Sequence, residues 1–155
     1  MFVLVHVSSS VPDLDQASPF YDAVMAALGV AQFYDRPDAI GYGVRYDSIE
    51  DFHSCLAIHS SANANVDDKR HWCFKATTRQ QLIEFHRAGL ADCGRDNGAP
   101  ALRHYHPTYF GAFLHDPFGN RIEAVGYRAE LNLPQPSKGK EACDTTCSPF
   151  APPRC

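Results

Sequence analysis

The chain carries two copies of one local pattern, and this duplication limits the folds open to it more than any other feature. Setting His6 on His71, a shift of 65 residues, aligns VHVSSSVPDLDQASPFYDAVMAALG with RHWCFKATTRQQLIEFHRAGLADCG without a gap. Asp13 then falls on Thr78, Gln16 on Gln81, Phe20 on Phe85 and Gly29 on Gly94. Each match has a physical role. Asp13 and Thr78 are helix N-cap residues, and Gln16 and Gln81, one turn on, complete capping boxes. Phe20 and Phe85 anchor inward helix faces, supported at helical spacing by Val24 and Leu28 in one copy and Leu82 in the other. Gly29 and Gly94 suit a left-handed residue just past a helix C-terminus.

The remainder of each copy reads as strands. FVLVHV precedes the first helix, and AQFYDR, GYGVRYD and SCLAIHS follow it. HWCFKAT precedes the second, and ALRHYH, YFGAFLH and RIEAVGY follow that one. The unit is therefore strand, helix and three strands, twice over, which is an α+β fold of two βαβββ modules. The polar stretch SSANANVDDKR (60–70) joins them. The predicted organisation is one domain over 1–130, with module 1 at about 1–65 and module 2 at about 66–130. A Pro- and Cys-containing tail over 131–155 follows, with little apolar periodicity. Cys143, Cys147 and Cys155 in that tail match no strong zinc spacing.

Bulk properties exclude several classes. With 155 residues, 45% hydrophobic, the chain can fill one core. Its net charge is −4 and no basic stripe runs along it, which argues against nucleic acid as a partner. No apolar run reaches membrane-spanning length, and the N-terminal residues lack the basic region of a signal peptide. These features predict a cytoplasmic protein with reduced thiols, in which Cys55, Cys73 and Cys93 are small core residues.

The chemistry begins with DPFGNRIEAVGY (116–127). DPFGN is a turn, and Glu123 stands in the middle of the strand that follows. An unpaired carboxylate on a buried face costs several kcal/mol, so Glu123 needs solvent, a cation or a metal. His6 and His71 occupy matching places on the first strand of each module, and the apolar residues around His6 predict that it is partly buried. Strands so related would bring both imidazoles to a shared surface, with Glu123 as the carboxylate. Two histidines and one carboxylate make a facial site with open positions for a divalent ion. LRHYHPTYF places Arg103, His104, Tyr105, His106 and Tyr109 nearby. Arg103 would hold an anionic substrate group, and Tyr105 or Tyr109 would donate a proton or hydrogen bond. His106 is a further substrate contact. The alternative for this stretch is a loop whose aromatics pack and whose histidines face water, and His104 is read that way. Arg45 and Tyr46 either line the cavity or cover a strand, while His53, His86 and His115 read as surface or packing residues.

The quoted repeat, together with GAPALRHYHPTYFGAFLHDPFGNRIEAVGY, resembles the glyoxalase / bleomycin resistance / extradiol dioxygenase superfamily, the vicinal oxygen chelate proteins. The resemblance covers roughly residues 2–128 and is most specific in the DP-x-GN turn and the I-E-x-V strand. It implies an incomplete barrel of paired βαβββ modules around one divalent metal, Fe, Mn, Zn, Ni or Co, held by His6, His71 and Glu123. It further implies Lewis-acid stabilisation of an enolate or alkoxide in a small oxygenated substrate. The reaction would be that of a lyase or isomerase, a dioxygenase or a thiol transferase. The contrasting expectation is a metal-free small-molecule-binding protein of the bleomycin-resistance kind. A homodimer is expected, with the site within one chain or shared between two. Glyoxalase I members add a fourth ligand on the last strand of module 1. The shift of 65 puts Ile58 there, and the neighbouring His59 would reach the site only by a register change that flips it to the other face.

Overall fold

The computed structural model describes residues 4–44, 54–67 and 69–127. Arg45, Tyr46, His53 and the tail cysteines lie outside the described residues. Within them the order is β1 (His6–Val11), α1 (Leu14–Ala27), β2 (Gln32–Arg36), β3 (Ala39–Val44), β4 (Ser54–Ser60), β5 (His71–Lys75), α2 (Arg79–Ala91), β6 (Arg95–Leu102), β7 (Phe110–His115) and β8 (Arg121–Gly126). They form two four-stranded sheets of the same topology, β1-β4-β3-β2 and β5-β8-β7-β6. In each, the first strand runs parallel to the last and the others are antiparallel. The fold is α+β, built as two βαβββ modules.

The caps predicted from sequence form. Asp13 accepts from the Gln16 N–H and Thr78 from the Gln81 N–H, each at 3.1 Å. The return arm of the second box lands one residue early: Gln81 accepts from the Thr77 N–H rather than from the cap itself. Its Nε2 instead donates to the Leu28 carbonyl at the end of α1, which joins the two helices. Gly29 has φ +75°, as expected, but the left-handed residue after α2 is Cys93 at φ +64°. Gly94 is needed for space: a Cβ there would lie 2.4 Å from Phe20 Cε2. Cys93, expected as a small core thiol, is half-buried and disulfide-bonded.

The core lies between the helices and the inner faces of both sheets. Phe20, Val24, Leu82 and Phe85 are fully buried, against Ile58, Leu114, Ile122 and Ala124. Each such side chain contributes about 1.5–3 kcal/mol through burial. The turn DPFGN is tied into this core. Asp116, fully buried, accepts from the Phe118 and Asn120 N–H groups, from Asn120 Nδ2 and from the Tyr21 hydroxyl. Asn120 also donates to the Ser10 carbonyl of β1, at 3.4 Å. Among the described residues no helix is long and apolar enough to cross a membrane.

Two strand boundaries differ from expectation. β1 begins at His6 and runs through the serines to Val11. Parallel pairing with β4 recruits this polar stretch, in which Ser9 and Val11 turn inward. β6 covers RDNGAPAL rather than ALRHYH. Its Asp, Asn, Gly and Pro signal a loop locally, but pairing with β7 holds them as a bulged strand whose Gly98 has φ +143°.

Candidate functional site

Strand alternation decides which side chains share a face. On the second sheet, Ile122 and Ala124 point to the helices. Arg121, Glu123 and Val125 therefore point away, together with their register partners His71, Cys73 and Lys75. The sequence around Glu123 alternates so that one carboxylate is left on the face that the helices do not cover.

Glu123 is 3% exposed, and its surroundings are specific. His71 Nε2 stands 3.2 Å from Oε2. The Tyr109 hydroxyl donates to Oε1. Cys73, directly across the strand pair, brings its thiol against the same carboxylate. Loss of water around the sulfur, and then the Glu123 charge, push that thiol up to about 12. Burial and the same carboxylate hold the Tyr109 phenol well above its ordinary value. Both groups are thus kept protonated, as hydrogen-bond donors toward Glu123.

His6 lies on the other sheet. It is exposed rather than partly buried, because the face it shares with Ser8 and Ser10 is the one turned from the helices. Its Nδ1 is 3.0 Å from Cys55 Sγ and its Nε2 is 2.8 Å from Ser8 Oγ. Among the described residues of one chain, no three His, Cys, Asp or Glu side chains cluster as a metal site. The donors nonetheless fit part of one. Ligands at 2.0–2.2 Å from a shared ion stand about 3 Å apart when adjacent, and His71 and Glu123 have that separation.

The register also corrects the fourth-ligand position. Ser8 pairs with Ala57 as Cys73 pairs with Glu123, so the counterpart of Glu123 in module 1 is Ala57, not Ile58. His59 pairs with Ser10 and so lies on the His6 face without any flip. It stands two residues beyond the Ala57 position.

The remaining predicted residues divide. Tyr109 touches Glu123. Tyr105 packs edge-on against Tyr109 with ring centroids 5.3 Å apart and is 74% exposed. His106 pairs its Nδ1 with Thr108 Oγ1 at 3.0 Å and faces Tyr127, not Glu123. Arg103 lies over the Phe113 ring at 5.2 Å and donates to the Ala99 and Gly111 carbonyls. His86, 12% exposed in its side chain, pairs with Asp96 at 2.8 Å.

Sequence reading missed Arg121 and the row it belongs to. Register aligns His71, Arg121, His115 and Arg95 across the four strands of the second sheet. No contiguous basic stripe exists in the chain, yet pairing assembles one. The available signal was that Arg121 stands two residues before Glu123, hence on its face. A hollow of about 440 Å³ between α1 and the β2–β3 turn, lined by Asp15, Asp22, Asp35 and Arg36 among others, contains none of these residues.

No family model matches the sequence, and no curated protein matches it. Solved structures do. A glyoxalase/bleomycin resistance protein from Albidiferax ferrireducens T118 is 26% identical, with a TM-score of 0.67 over 81% of this chain and 98% of that one. A glyoxalase-related enzyme from Fulvimarina pelagi is 13% identical, with a TM-score of 0.60 over 81% of this chain and 88% of that one. A glyoxalase/bleomycin resistance protein/dioxygenase family enzyme from Burkholderia phytofirmans PsJN is 18% identical, with a TM-score of 0.58 over 80% and 98%. With two βαβββ modules of matching topology and these likenesses, the chain has the fold of the glyoxalase / bleomycin resistance / dioxygenase (vicinal oxygen chelate) proteins.

Proposed function

We propose that this chain is a divalent-metal-dependent enzyme acting on a small oxygenated organic molecule, with His71 and Glu123 of one subunit and His6 of a second copy as ligands to one Fe, Mn, Zn, Ni or Co ion. The observation that carries this reading is the contact between buried Glu123 and His71 on a sheet face that the helices leave free. His6 stands on the equivalent face of the other sheet, so a second copy is the simplest source of the third donor. An ion held there supplies Lewis-acid polarisation of substrate oxygens. The protein's own groups set the rest. Tyr109 fixes Oε1 of Glu123, which orients Oε2 toward His71 and limits the rotamers open to the carboxylate. In this reading Arg103 orients an anionic substrate group, with Tyr105 and His106 as further substrate contacts.

The test is metal analysis of full-length protein purified without a histidine tag. One divalent ion per chain, lost in His6→Ala, His71→Ala and Glu123→Ala but kept in His104→Ala, supports the reading. Failure to load any of the five metals would overturn it. One observation favours a second reading, a metal-free small-molecule-binding protein: the Tyr109 hydroxyl already serves Glu123 without an ion. Tight ligand binding unaffected by chelators would select that alternative.

A further inference from the structure

Phe113 sits in the middle of the second sheet, in register with Glu123 and on the same face. Two guanidinium groups lie over its ring, Arg121 from β8 at 5.0 Å and Arg103 from beyond β6 at 5.2 Å. They approach from opposite sides in strand order, since β7 runs between β8 and β6. Two cations on one ring repel each other, and neither makes an ion pair among the described residues; the Asp96 carboxylate, itself paired with His86, feels the Arg103 charge only at longer range. The one carboxylate in the adjoining row, Glu123, is already engaged by His71 and Tyr109. The Nε–H of each arginine is buried without an acceptor. Arg103 spends Nη2 on two backbone carbonyls, which fixes its guanidinium plane, while the Arg121 side chain has no acceptor at all among the described residues. A buried donor without an acceptor and two like charges on one ring with no ion-pair partner are both costly. An oxyanion relieves both at once, and the planar forks of arginine suit it.

We infer that Arg121 and Arg103, held on Phe113, form an oxyanion subsite that binds a carboxylate or phosphoryl group of the substrate one side-chain row from Glu123. This names the substrate class of the proposed site as anionic and rests on that reading only in placing the substrate there. Arg121 is a specificity-determining residue, and its partner cation is Arg103.

The probes are inorganic phosphate, methylphosphonate and benzoate, titrated calorimetrically into the full chain with and without a chelator. Saturable binding of one oxyanion per chain is expected in chelator, weakened at least tenfold in Arg121→Gln and Arg103→Gln. Arg87→Gln, which removes an exposed guanidinium paired with Glu84 on α2, should bind as the parent does. Preference for phosphate and methylphosphonate assigns a phosphoryl group, and preference for benzoate a carboxylate. Should either variant fold poorly, phenylglyoxal labelling of the parent protein supplies the answer: the preferred anion should protect Arg103 and Arg121 but not Arg87. No saturable binding, or binding that neither variant changes, overturns the inference. So does loss of the dimer in both variants without anion binding by the parent, which would make these arginines subunit contacts. Metal content measured in the same samples separates the two ideas. Arginine-dependent binding in protein that takes no metal leaves the subsite standing and removes the metal reading. Metal loading without anion binding does the reverse.

Discussion

The Tyr21 hydroxyl donates to the Asp116 carboxylate at 2.9 Å, joining residues 95 positions apart and closing module 1 against module 2. Both are buried, and Asp116 is at the same time the organiser of the DPFGN turn that leads into β8. The helix of one module thus steadies the strand that carries Glu123 in the other. Tyr21→Phe should leave the buried carboxylate short of one donor and lower the unfolding free energy by about 1–3 kcal/mol. Urea denaturation of the two proteins checks this, and equal midpoints would show that the bond contributes nothing net.

Alkaline pH should weaken the fold. Tyr42 donates to Asp22 at 2.7 Å, and burial first, then that carboxylate, hold its phenol well above its ordinary value. Tyr21 is raised by burial and by Asp116. A raised folded-state value means the stabilisation is whole below the unfolded value near 10 and is lost as pH rises above it. The slope there is about 1.4 kcal/mol per pH unit for each such phenol. Tyr42→Phe should show a shallower loss between pH 10 and 11 than the parent, measured by thermal unfolding.

Gly94 has no room for a side chain. Its Cβ would meet Phe20 Cε2 at 2.4 Å and the Gly89 carbonyl at 2.5 Å. Backbone cannot yield as a flexible side chain can, so Gly94→Ala should destabilise by about 1–3 kcal/mol through overpacking. Gly29→Ala fails for a different reason, its φ of +75°, and a smaller loss of about 1 kcal/mol is expected there. Chemical denaturation of the pair distinguishes crowding from backbone strain.

A site shared between subunits makes a complementation prediction. Homodimers of His6→Ala and of His71→Ala should each bind no metal. Co-expressed with two different histidine-free tags and purified as a mixed dimer, they should bind one ion per dimer, because one of the two sites is then intact. A mixed dimer without metal, when the parent holds two ions, would place all three ligands in one chain.

Tyr109→Phe should loosen the metal without abolishing it. The hydroxyl holds Oε1 of Glu123. Loss of such an outer partner typically costs 10–100-fold in metal affinity. Competition with a chromogenic chelator measures this, and an unchanged affinity would reduce Tyr109 to a packing residue.

Some of this architecture was written locally in the chain. The caps at Asp13 and Thr78, the anchors Phe20 and Phe85, and strands such as SCLAIHS depend on neighbours within a few residues, where backbone geometry and apolar spacing act directly. The place of Glu123 at mid-strand after a tight turn was legible for the same reason. What needed the tertiary structure was everything set by pairing between distant strands. RDNGAPAL carries loop residues and became β6 because β7 offered its hydrogen-bonding edge. The polar serines of β1 became strand because β4 lay beside them. Ala57 rather than Ile58 answers to Glu123 because one residue of register decides which side chain reaches a face. Arg121, His71, His115 and Arg95 form a basic row only because four strands align them, and charge spread over 51 positions of sequence, from 71 to 121, shows no such order until those hydrogen bonds form.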